Sequence, residues 1–571
     1  MSNLMKETKD KIDALLHQAF DAAVSDGALT AMEEFPTYVI EEPKNRDHGD
    51  LSTNLAMQMA RAQRSAPQKI AQALVDHMTL CAPVEKVDIA GAGFINFTLN
   101  ENWLTAVLPM IEKEGKNYGR VSDGNGEKVL VEFVSANPTG PMHMGNARGG
   151  ALGDCLAEVL DWAGHEVSRE FYVNDAGNQI EKFANSLEAR YMQLVLGSEE
   201  AWPFPEDGYH GDDIRERAQA FLDQEGDRFR DADPKERRDA LVAFGLKLNI
   251  DALHAGMDLY RIHYDEWFRE SSLYASGEVE ETLSLLKKSG YTYEKEGALW
   301  FKSSEFVPPQ GEEEAKDDVL VRANGIPTYF AADIAYHRNK LEKRGFDRAI
   351  DIWGADHHGH IARMKGALSA LGINPDRFQV VIMQLVRLLR NGEVARMSKR
   401  AGKTISLTDL LEETGVDAAR FLFNLRAAGS HLDFDLDLAV AQSNENPVYY
   451  VQYAHARICS ILRLAEEEGI VRKKASELDL SVLKATEEKA LLNALAQLPE
   501  EVSVAAKTCE PSKMTHYVMD LAAAFHTFYG ACRVRCEDEA LQQARLALCA
   551  ATRDVIKNVL TMLGVTAPDR M

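Results

Sequence analysis

An apolar run, Val129-Leu-Val-Glu-Phe-Val134, leads through Ala136-Asn-Pro-Thr-Gly-Pro-Met-His-Met-Gly-Asn146 into a stretch of helical apolar spacing. The pattern predicts a strand over 128–135, a tight turn, and a helix from about Asn146 to Ala163. Leu152, Leu156, Val159, Leu160 and Ala163 fall on one face of that helix, and Gly164 stops it. A further strand is expected at 166–173, and buried strands at 349–354 and 378–383, with helices between. Strands alternating with helices give a doubly wound parallel sheet of Rossmann type, whose ligands bind where a strand turns into a helix. Small residues in the first turn let a ligand approach the backbone, and His143 stands where a helix N-terminus would meet an anion. About 250 residues later comes a short basic loop, Arg396-Met397-Ser398-Lys399-Arg400, bracketed by Gly392 and Gly402. A nucleotide phosphate held between the helix N-terminus and the lysine loop is the simplest joint reading.

The rest of the chain divides around this region. With 571 residues, three or four domains are expected. Residues 1–120 read as a small α/β domain. Ile12, Leu15, Leu16 and Phe20 keep helical spacing, Ser52 to Ala62 reads as a second helix, and Val87 to Leu99 alternates like a strand pair with glycines at its bend. Residues 121–437 form the sheet-bearing domain, interrupted by a polar, mainly helical insertion at about 185–300. From 438 to 571 the pattern is helical throughout, with stripes at Ile461 and Leu464, at Leu491, Leu492, Leu495 and Leu498, and at Ile556, Leu560 and Leu563, as in a helical bundle.

The net charge of −25 argues against a generic nucleic-acid coat. The charge is uneven, however: residues 447–571 carry 15 Lys+Arg against 16 Asp+Glu, so this segment can still present a local patch to a polyanion. Seven scattered cysteines with no Cys-x-x-Cys pair give no support to a structural zinc. Cys532 and Cys536, one helical turn apart, read as buried small apolar residues. Reduced thiols, a charged N-terminus and the lack of an apolar run of about 20 residues point to a cytoplasmic protein off the membrane. A monomer is the expected state.

The motifs together resemble the class I aminoacyl-tRNA synthetases and, more narrowly, the arginyl-tRNA synthetase family. The resemblance is carried by Glu132-Phe-Val-Ser-Ala-Asn137-Pro-Thr-Gly, His143-Met-Gly-Asn-Ala-Arg148-Gly, Asn174-Asp-Ala-Gly177 and Asp333-Ile-Ala-Tyr-His337. Trp353-Gly-Ala-Asp-His-His-Gly-His360, Met397-Ser-Lys-Arg400 and the ending Leu563-Gly-Val-Thr-Ala-Pro-Asp-Arg-Met571 extend it end to end. Two departures stand out. The second histidine of the family's His-Ile-Gly-His signature is Asn146, which donates a hydrogen bond but carries no charge. The Lys-Met-Ser-Lys-Ser signature begins here with Arg396 and ends with Arg400, retaining Lys399.

The resemblance implies ligation of arginine to tRNA(Arg) through arginyl-adenylate. The arginine carboxylate attacks the α-phosphorus of ATP and expels pyrophosphate, so positioned donors and cations supply most of the catalysis. That carboxylate is already ionised, and no general base is required. His143, Gly145, Asn146, His360, Met397, Ser398 and Lys399 are implied on ATP, which enters with Mg2+, and activation itself is implied to need the tRNA. Glu132, Asn137, Tyr329, Asp333 and His357 are implied on arginine, with Asp333 against the guanidinium and Tyr329 four residues earlier on the same helix face. Asp333 could instead be a helix N-cap before Ile334, and Tyr329 a core aromatic. His357, His358 and His360 could suggest a metal, but no carboxylate or cysteine set completes a site.

Asp417-Ala-Ala-Arg420 is similar to the Asp-Ala-Leu-Arg signature of the family's anticodon-binding domain. Tyr449, Tyr453 and Arg457 offer rings and a guanidinium for unpaired bases, or else form a bundle-core stripe. The N-terminal domain, with Asp47-His-Gly-Asp-Leu-Ser-Thr-Asn54, resembles the family's additional tRNA-binding module. Two other readings compete: a catalytically silent RNA-binding relative, favoured only by Asn146, and a class I enzyme for another amino acid, such as cysteine, which would want a zinc thiolate set. No feature of 185–300 supports an editing role, since a guanidinium paired with a buried carboxylate already excludes most competitors.

Overall fold

A computed structural model describes residues 3–43, 45, 48–100, 102–307, 316–395 and 405–571. Five parallel strands build the central sheet: β1 (Lys128–Glu132), β2 (Glu166–Val173), β3 (Glu266–Arg269), β4 (Arg348–Gly354) and β5 (Phe378–Met383). Their order is β5-β4-β1-β2-β3, so the chain winds outward from β1 in one direction and then returns to its other side. The crevice at the carboxyl ends of β1 and β4 is therefore the topological switch point, where such sheets bind ligands. Val129, Leu130 and Val131 are buried, as befits a central strand covered on both faces.

β1 stops at Glu132, three residues short of the expected strand. Val134 and Ser135 take positive φ (71° and 44°), which breaks the ladder, and for a β-branched valine this is a costly conformation. The first crossover helix, α1 (Met144–Trp162), then runs back across the sheet with Leu152, Leu156, Val159 and Leu160 buried.

The stretch 185–300 is only partly an insertion. It holds the helices α2 (Asn178–Leu196, which begins ahead of it), α3 (Asp212–Glu225) and α4 (Pro234–Leu259), with their own core around Phe183, Tyr191, Phe221 and Leu241. It also contains β3, the edge strand of the central sheet, paired with β2 from Glu170↔Glu266 to Val173↔Arg269. Four residues are too few to show a period, so this strand escapes sequence reading. The helix α5 (Tyr329–Arg338) follows a three-stranded antiparallel sheet and packs on the central sheet, where Tyr336 Oη donates to Glu170 Oε1 at 2.5 Å and His337 Nε2 lies 2.9 Å from Asp351 Oδ2.

In the N-terminal region, helix Leu4–Ser25 buries Ile12, Leu15, Leu16 and Phe20, and strands Val84–Ala90 and Phe94–Leu99 pair antiparallel. The helix expected from Ser52 starts instead at Leu55. Ser52 and Thr53 belong to a strand, where Ser52 Oγ donates to Asn96 Oδ1 at 2.7 Å.

The C-terminal region is helical: α6 (Val416–Phe423), α7 (Pro447–Glu467), two helices at Thr486–Thr508 and Ser512–Ala531, and α8 (Glu539–Met562). Leu464 is exposed. The buried stripe of α7 runs instead through Val451, Ala454, Ile458, Ile461 and Ala465. Cys532 and Cys536 lie beyond the helix that ends at Ala531, and only Cys532 is buried. Among the described residues, no helix is long and apolar enough to cross a membrane.

Candidate active site

The turn after β1 is pinned from three directions. Ser135 Oγ donates to Glu132 Oε1 at 2.8 Å and accepts from the Tyr172 amide at 3.1 Å, which holds the strained pair 134–135 in place. Tyr264 Oη donates to the Phe133 carbonyl at 3.1 Å, and Asn249 Nδ2, from α4, donates to the Pro138 carbonyl at 2.8 Å. His143 is the N-cap of α1, in extended backbone. Its amide donates to Asn146 Oδ1 at 3.1 Å, so Asn146 caps the helix from its third position while its Nδ2 stays available as a donor. A Cβ at Gly145 would meet nothing within 4 Å, so the helix start is sterically open. Val134, Ser135, Asn137, His143 and Asn146 line a cavity of about 480 Å³, together with Tyr209, His210 and Asp213.

Met397, Ser398 and Lys399 lie outside the described residues. The chain that follows them is tied to this same helix start. The Met144 amide donates to the Ile405 carbonyl at 3.3 Å, the Leu407 amide to Met142 at 3.0 Å, and His143 bridges to Ser406.

A second cavity, of about 370 Å³, is lined by Gly177, Glu270, Tyr274, Arg322 and Tyr329. Thr328, not Asp333, caps α5, and Tyr329 and Asp333 lie one turn apart on it. Tyr329 is 40 % exposed, so it faces the cavity mouth rather than the core. Asp333 Oδ2 is 3.1 Å from His360 Nε2, which places His360 beside the carboxylate. Glu270, absent from the sequence reading, is buried at the cavity wall with its Oε1 unpartnered. Burial pushes its carboxyl up to about 7, the Asp333 and Asp175 carboxylates adding to the shift. Glu270 is the one carboxylate among the residues that line this cavity; Asp333 does not line it but lies close enough for its charge to act on Glu270, and the two acids with the tyrosines at the mouth favour a planar cation. No short sequence pattern marks Glu270; only its seat directly after β3 exposes the role.

Glu132 does not line either cavity. Lys340 Nζ, wholly buried, reaches its Oε2 at 2.5 Å and Asp351 Oδ1 at 2.8 Å, and His337 Nε2 lies 2.9 Å from Asp351 Oδ2. Burial still holds the Glu132 carboxyl above its usual range, despite the Lys340 charge. This ion network forms the floor under the site. His357 is exposed beside Asp356, 3.6 Å away, and lines neither cavity. The three histidines at 357–360 form no metal cluster; among the described residues, the group close enough for one ion is His455, Cys459 and Asp569.

In the helical region, Tyr449 and Tyr453 stack with centroids 6.3 Å apart, and Arg457 lies over Tyr453 and Tyr529 at 5.9 and 5.2 Å. Both tyrosines are half-buried and Arg457 is exposed, so this face offers rings to solvent. Asp417 and Arg420 are joints. Asp417 accepts from Arg261 Nη1 at 2.5 Å, Gln452 Nε2 at 2.8 Å and the Thr566 amide at 3.1 Å. Arg420, wholly buried, pairs with Asp154 of α1 and donates to the Leu563 carbonyl at 2.8 Å and to Tyr260 at 3.1 Å.

Comparison with known proteins places the chain in one family. Residues 108–429 match the class I (R) tRNA synthetase catalytic domain, residues 7–99 the arginyl tRNA synthetase N terminal domain, and residues 451–571 the DALR anticodon binding domain. The chain belongs to the arginyl-tRNA synthetase family. It is 56 % identical to the arginine–tRNA ligases of Ruminiclostridium cellulolyticum and Acetivibrio thermocellus, over the full length of each. Among solved structures, the arginyl-tRNA synthetase of Thermus thermophilus superposes with a TM-score of 0.72 at 25 % identity, covering 97 % of this chain and 99 % of that one. A methionyl-tRNA synthetase from Mycobacterium tuberculosis, 13 % identical over 78 % of this chain and 92 % of its own, shares the fold at a TM-score of 0.52. As an arginyl-tRNA synthetase family member, the chain carries a multidomain α/β architecture: a parallel-sheet catalytic region with a helical domain at its C-terminal end.

Proposed function

We propose that this enzyme ligates L-arginine to tRNA(Arg) in two steps, forming arginyl-adenylate with release of pyrophosphate and then arginyl-tRNA with release of AMP. The pocket lined by Glu270, with the Asp333 carboxylate near enough to act on it, carries this reading. A guanidinium entering that pocket meets the Glu270 carboxylate and the field of Asp333, with Tyr329 and Tyr274 packing along its stem. Asn137, which lines the helix-start cavity, takes the amino group; Glu132, buried, acts on that turn through Ser135, and His357 stands outside both cavities just after β4. ATP enters as its Mg2+ complex at the switch point. His143, Gly145, Asn146 and the N-terminus of α1 meet its phosphates, His360 and Met397 the adenosine side, and Ser398 and Lys399 the departing pyrophosphate.

Residues 1–120 serve as the additional tRNA-binding module, 121–437 as the catalytic domain and 438–571 as the anticodon-binding domain, with Tyr449, Tyr453 and Arg457 stacking on unpaired bases. The enzyme works as a cytoplasmic monomer. No structural zinc is proposed; at the one three-ligand cluster among the described residues, the Cys459 thiol donates to Asp569 and burial raises its pKa to about 11.

Asn146 does not favour a silent RNA-binding relative, since capping α1 and donating through Nδ2 are both within reach of an amide. The deciding measurement is ATP–pyrophosphate exchange with purified enzyme and arginine, with and without tRNA(Arg). Arginine-dependent exchange in the presence of the tRNA is the expected result, and its absence with a tRNA competent for charging rejects the proposal.

A further inference from the structure

Arg148 sits in the second turn of α1, five residues after the N-cap His143. It is wholly buried. Its Nη1 donates to the carbonyls of Gln384 at 2.8 Å and Ser430 at 2.9 Å, and its Nη2 to Ala427 at 3.0 Å. All three acceptors are neutral. Among the described residues no carboxylate pairs with it, and burial alone draws its pKa down to about 10. The contrast within the same region is sharp: Arg420 is paired with Asp154, Lys340 with Glu132 and Asp351, Arg344 with Glu170, and Arg237 with Glu188.

A buried charge without a counter-ion is costly, so its retention calls for a compensating anion. Two residues turn Arg148 about 200° around the helix from Asn146, and it does not line the cavity at the helix start, so an anion there feels its charge without touching it. Helical side chains slant toward the N-terminus, and Arg148 lies only about 3 Å further along the axis than Asn146. Gln384, its first acceptor, directly follows β5 at the carboxyl edge of the sheet, the edge on which the cavity of His143 and Asn146 opens.

We propose that Arg148 is the fixed cation beneath the phosphate site, holding ATP and the pentavalent phosphate of the adenylation step by its field rather than by contact. It supplies from inside the helix the charge that Asn146 cannot carry. This rests on the reading of the α1 N-terminus as the phosphate site. Arg148 is a positioning residue: its three carbonyl bonds fix the guanidinium, and the fixed charge orders the phosphates.

The test uses the full-length enzyme and the variants R148Q, which keeps amide donors but no charge, and R148K, which keeps the charge. Equilibrium binding is measured for inorganic pyrophosphate, ATP, adenosine and arginine. R148Q should weaken pyrophosphate and ATP about tenfold, the scale of one unit charge about 10 Å away at the effective dielectric of a protein. Adenosine and arginine should bind as in the parent, and R148K should restore pyrophosphate to within about threefold. Loss of adenosine and pyrophosphate in equal measure, or of neither, overturns the inference. Should R148Q fail to fold, R148K decides: a tenfold loss of pyrophosphate despite the retained charge overturns it, and near-parental binding supports it. His143→Ala separates the two readings. Unchanged pyrophosphate binding there rejects the phosphate site itself, whereas a loss in His143→Ala without one in R148Q rejects only the role of Arg148.

Discussion

On the proposed reading, Glu270 ties substrate choice to pH. Its carboxyl titrates near 7 in the free pocket, so below that pH it is largely neutral and cannot pair with a guanidinium. Arginine binding draws the proton off, and its affinity therefore falls as pH drops. The KM for arginine should rise about tenfold between pH 8 and pH 6, with the KM for ATP steady. Glu270→Gln should flatten that profile while raising KM at every pH by one to two orders of magnitude, the cost of losing one partner of a charge pair. A Glu270→Gln enzyme that retains the parental pH slope would rule this out. Lys399 gives a second residue-scale outcome. Lys399→Ala should lower the rate of adenylate formation at least a hundredfold, the scale of removing one transition-state donor, while tRNA binding measured by filter retention stays within about twofold. What could be read from sequence at this scale was chemistry carried by contiguous residues: His143 at a helix start, Asp333 with Tyr329 one turn before it. Glu270 and Asn249 escaped because each acts on a segment far away in sequence, and only folding brings them together.

At the scale of elements, the turn after β1 stores strain that neighbouring elements must hold. Val134 and Ser135 at positive φ cost about 1–3 kcal/mol each and persist because Ser135, Tyr264 and Asn249 fix the carbonyls and hydroxyl around them. Asn249 is itself locked, its Oδ1 accepting from Arg217 Nε at 3.0 Å, so α3 and α4 act as a brace on the segment that carries Asn137. Asn249→Ala leaves the buried Pro138 carbonyl without its donor, at a cost of about 1–3 kcal/mol, and frees Arg217 Nε from the turn. The expected consequence is a ten- to hundredfold fall in kcat/KM for adenylation, from a misplacement of about 1 Å, with tRNA affinity unchanged. Steady-state exchange kinetics check it; parental kcat/KM in a folded variant excludes the brace. The same element explains a difference between pattern and structure. The apolar run continued to Val134, so periodicity extended the strand to 135, whereas hydrogen bonds from distant residues end it at Glu132. β3 was hidden for the complementary reason, since an edge strand of four residues has its partners on one side only and shows no alternation.

Across the whole molecule, one buried guanidinium helps to join the catalytic and helical regions. Arg420 on α6 joins Asp154 on α1, the end of α4 at Tyr260 and the end of α8 at Leu563, and Gly564 beside it has no room for a side chain: a Cβ there would come within 2.2 Å of Arg420 Nε. Asp417 adds an outer clasp to Thr566 and Arg261. Burial opposes its charge, but those hydrogen bonds hold its carboxyl below the usual carboxylate range. A depressed folded-state pKa stabilises above the unfolded value, and that stability is lost as pH falls through and below about 3.9. The contact between the two regions should therefore loosen in acid before neutral-pH denaturants reach it. Arg420→Met takes from Asp154 one of its two cationic partners, leaving Arg169 at 3.2 Å, and frees the Leu563 and Tyr260 carbonyls, a loss of about 1–3 kcal/mol that should lower the urea midpoint. Asp417→Asn, more exposed and still able to accept from Thr566, should cost about 1 kcal/mol and flatten part of the acid-side slope between pH 5 and pH 3, the rest belonging to other depressed carboxylates such as Asp351. Urea unfolding of both variants across that pH range measures the difference. An Arg420→Met enzyme with the parental midpoint, or an Asp417→Asn enzyme with the parental acid slope, would show that the joint lies elsewhere in the interface.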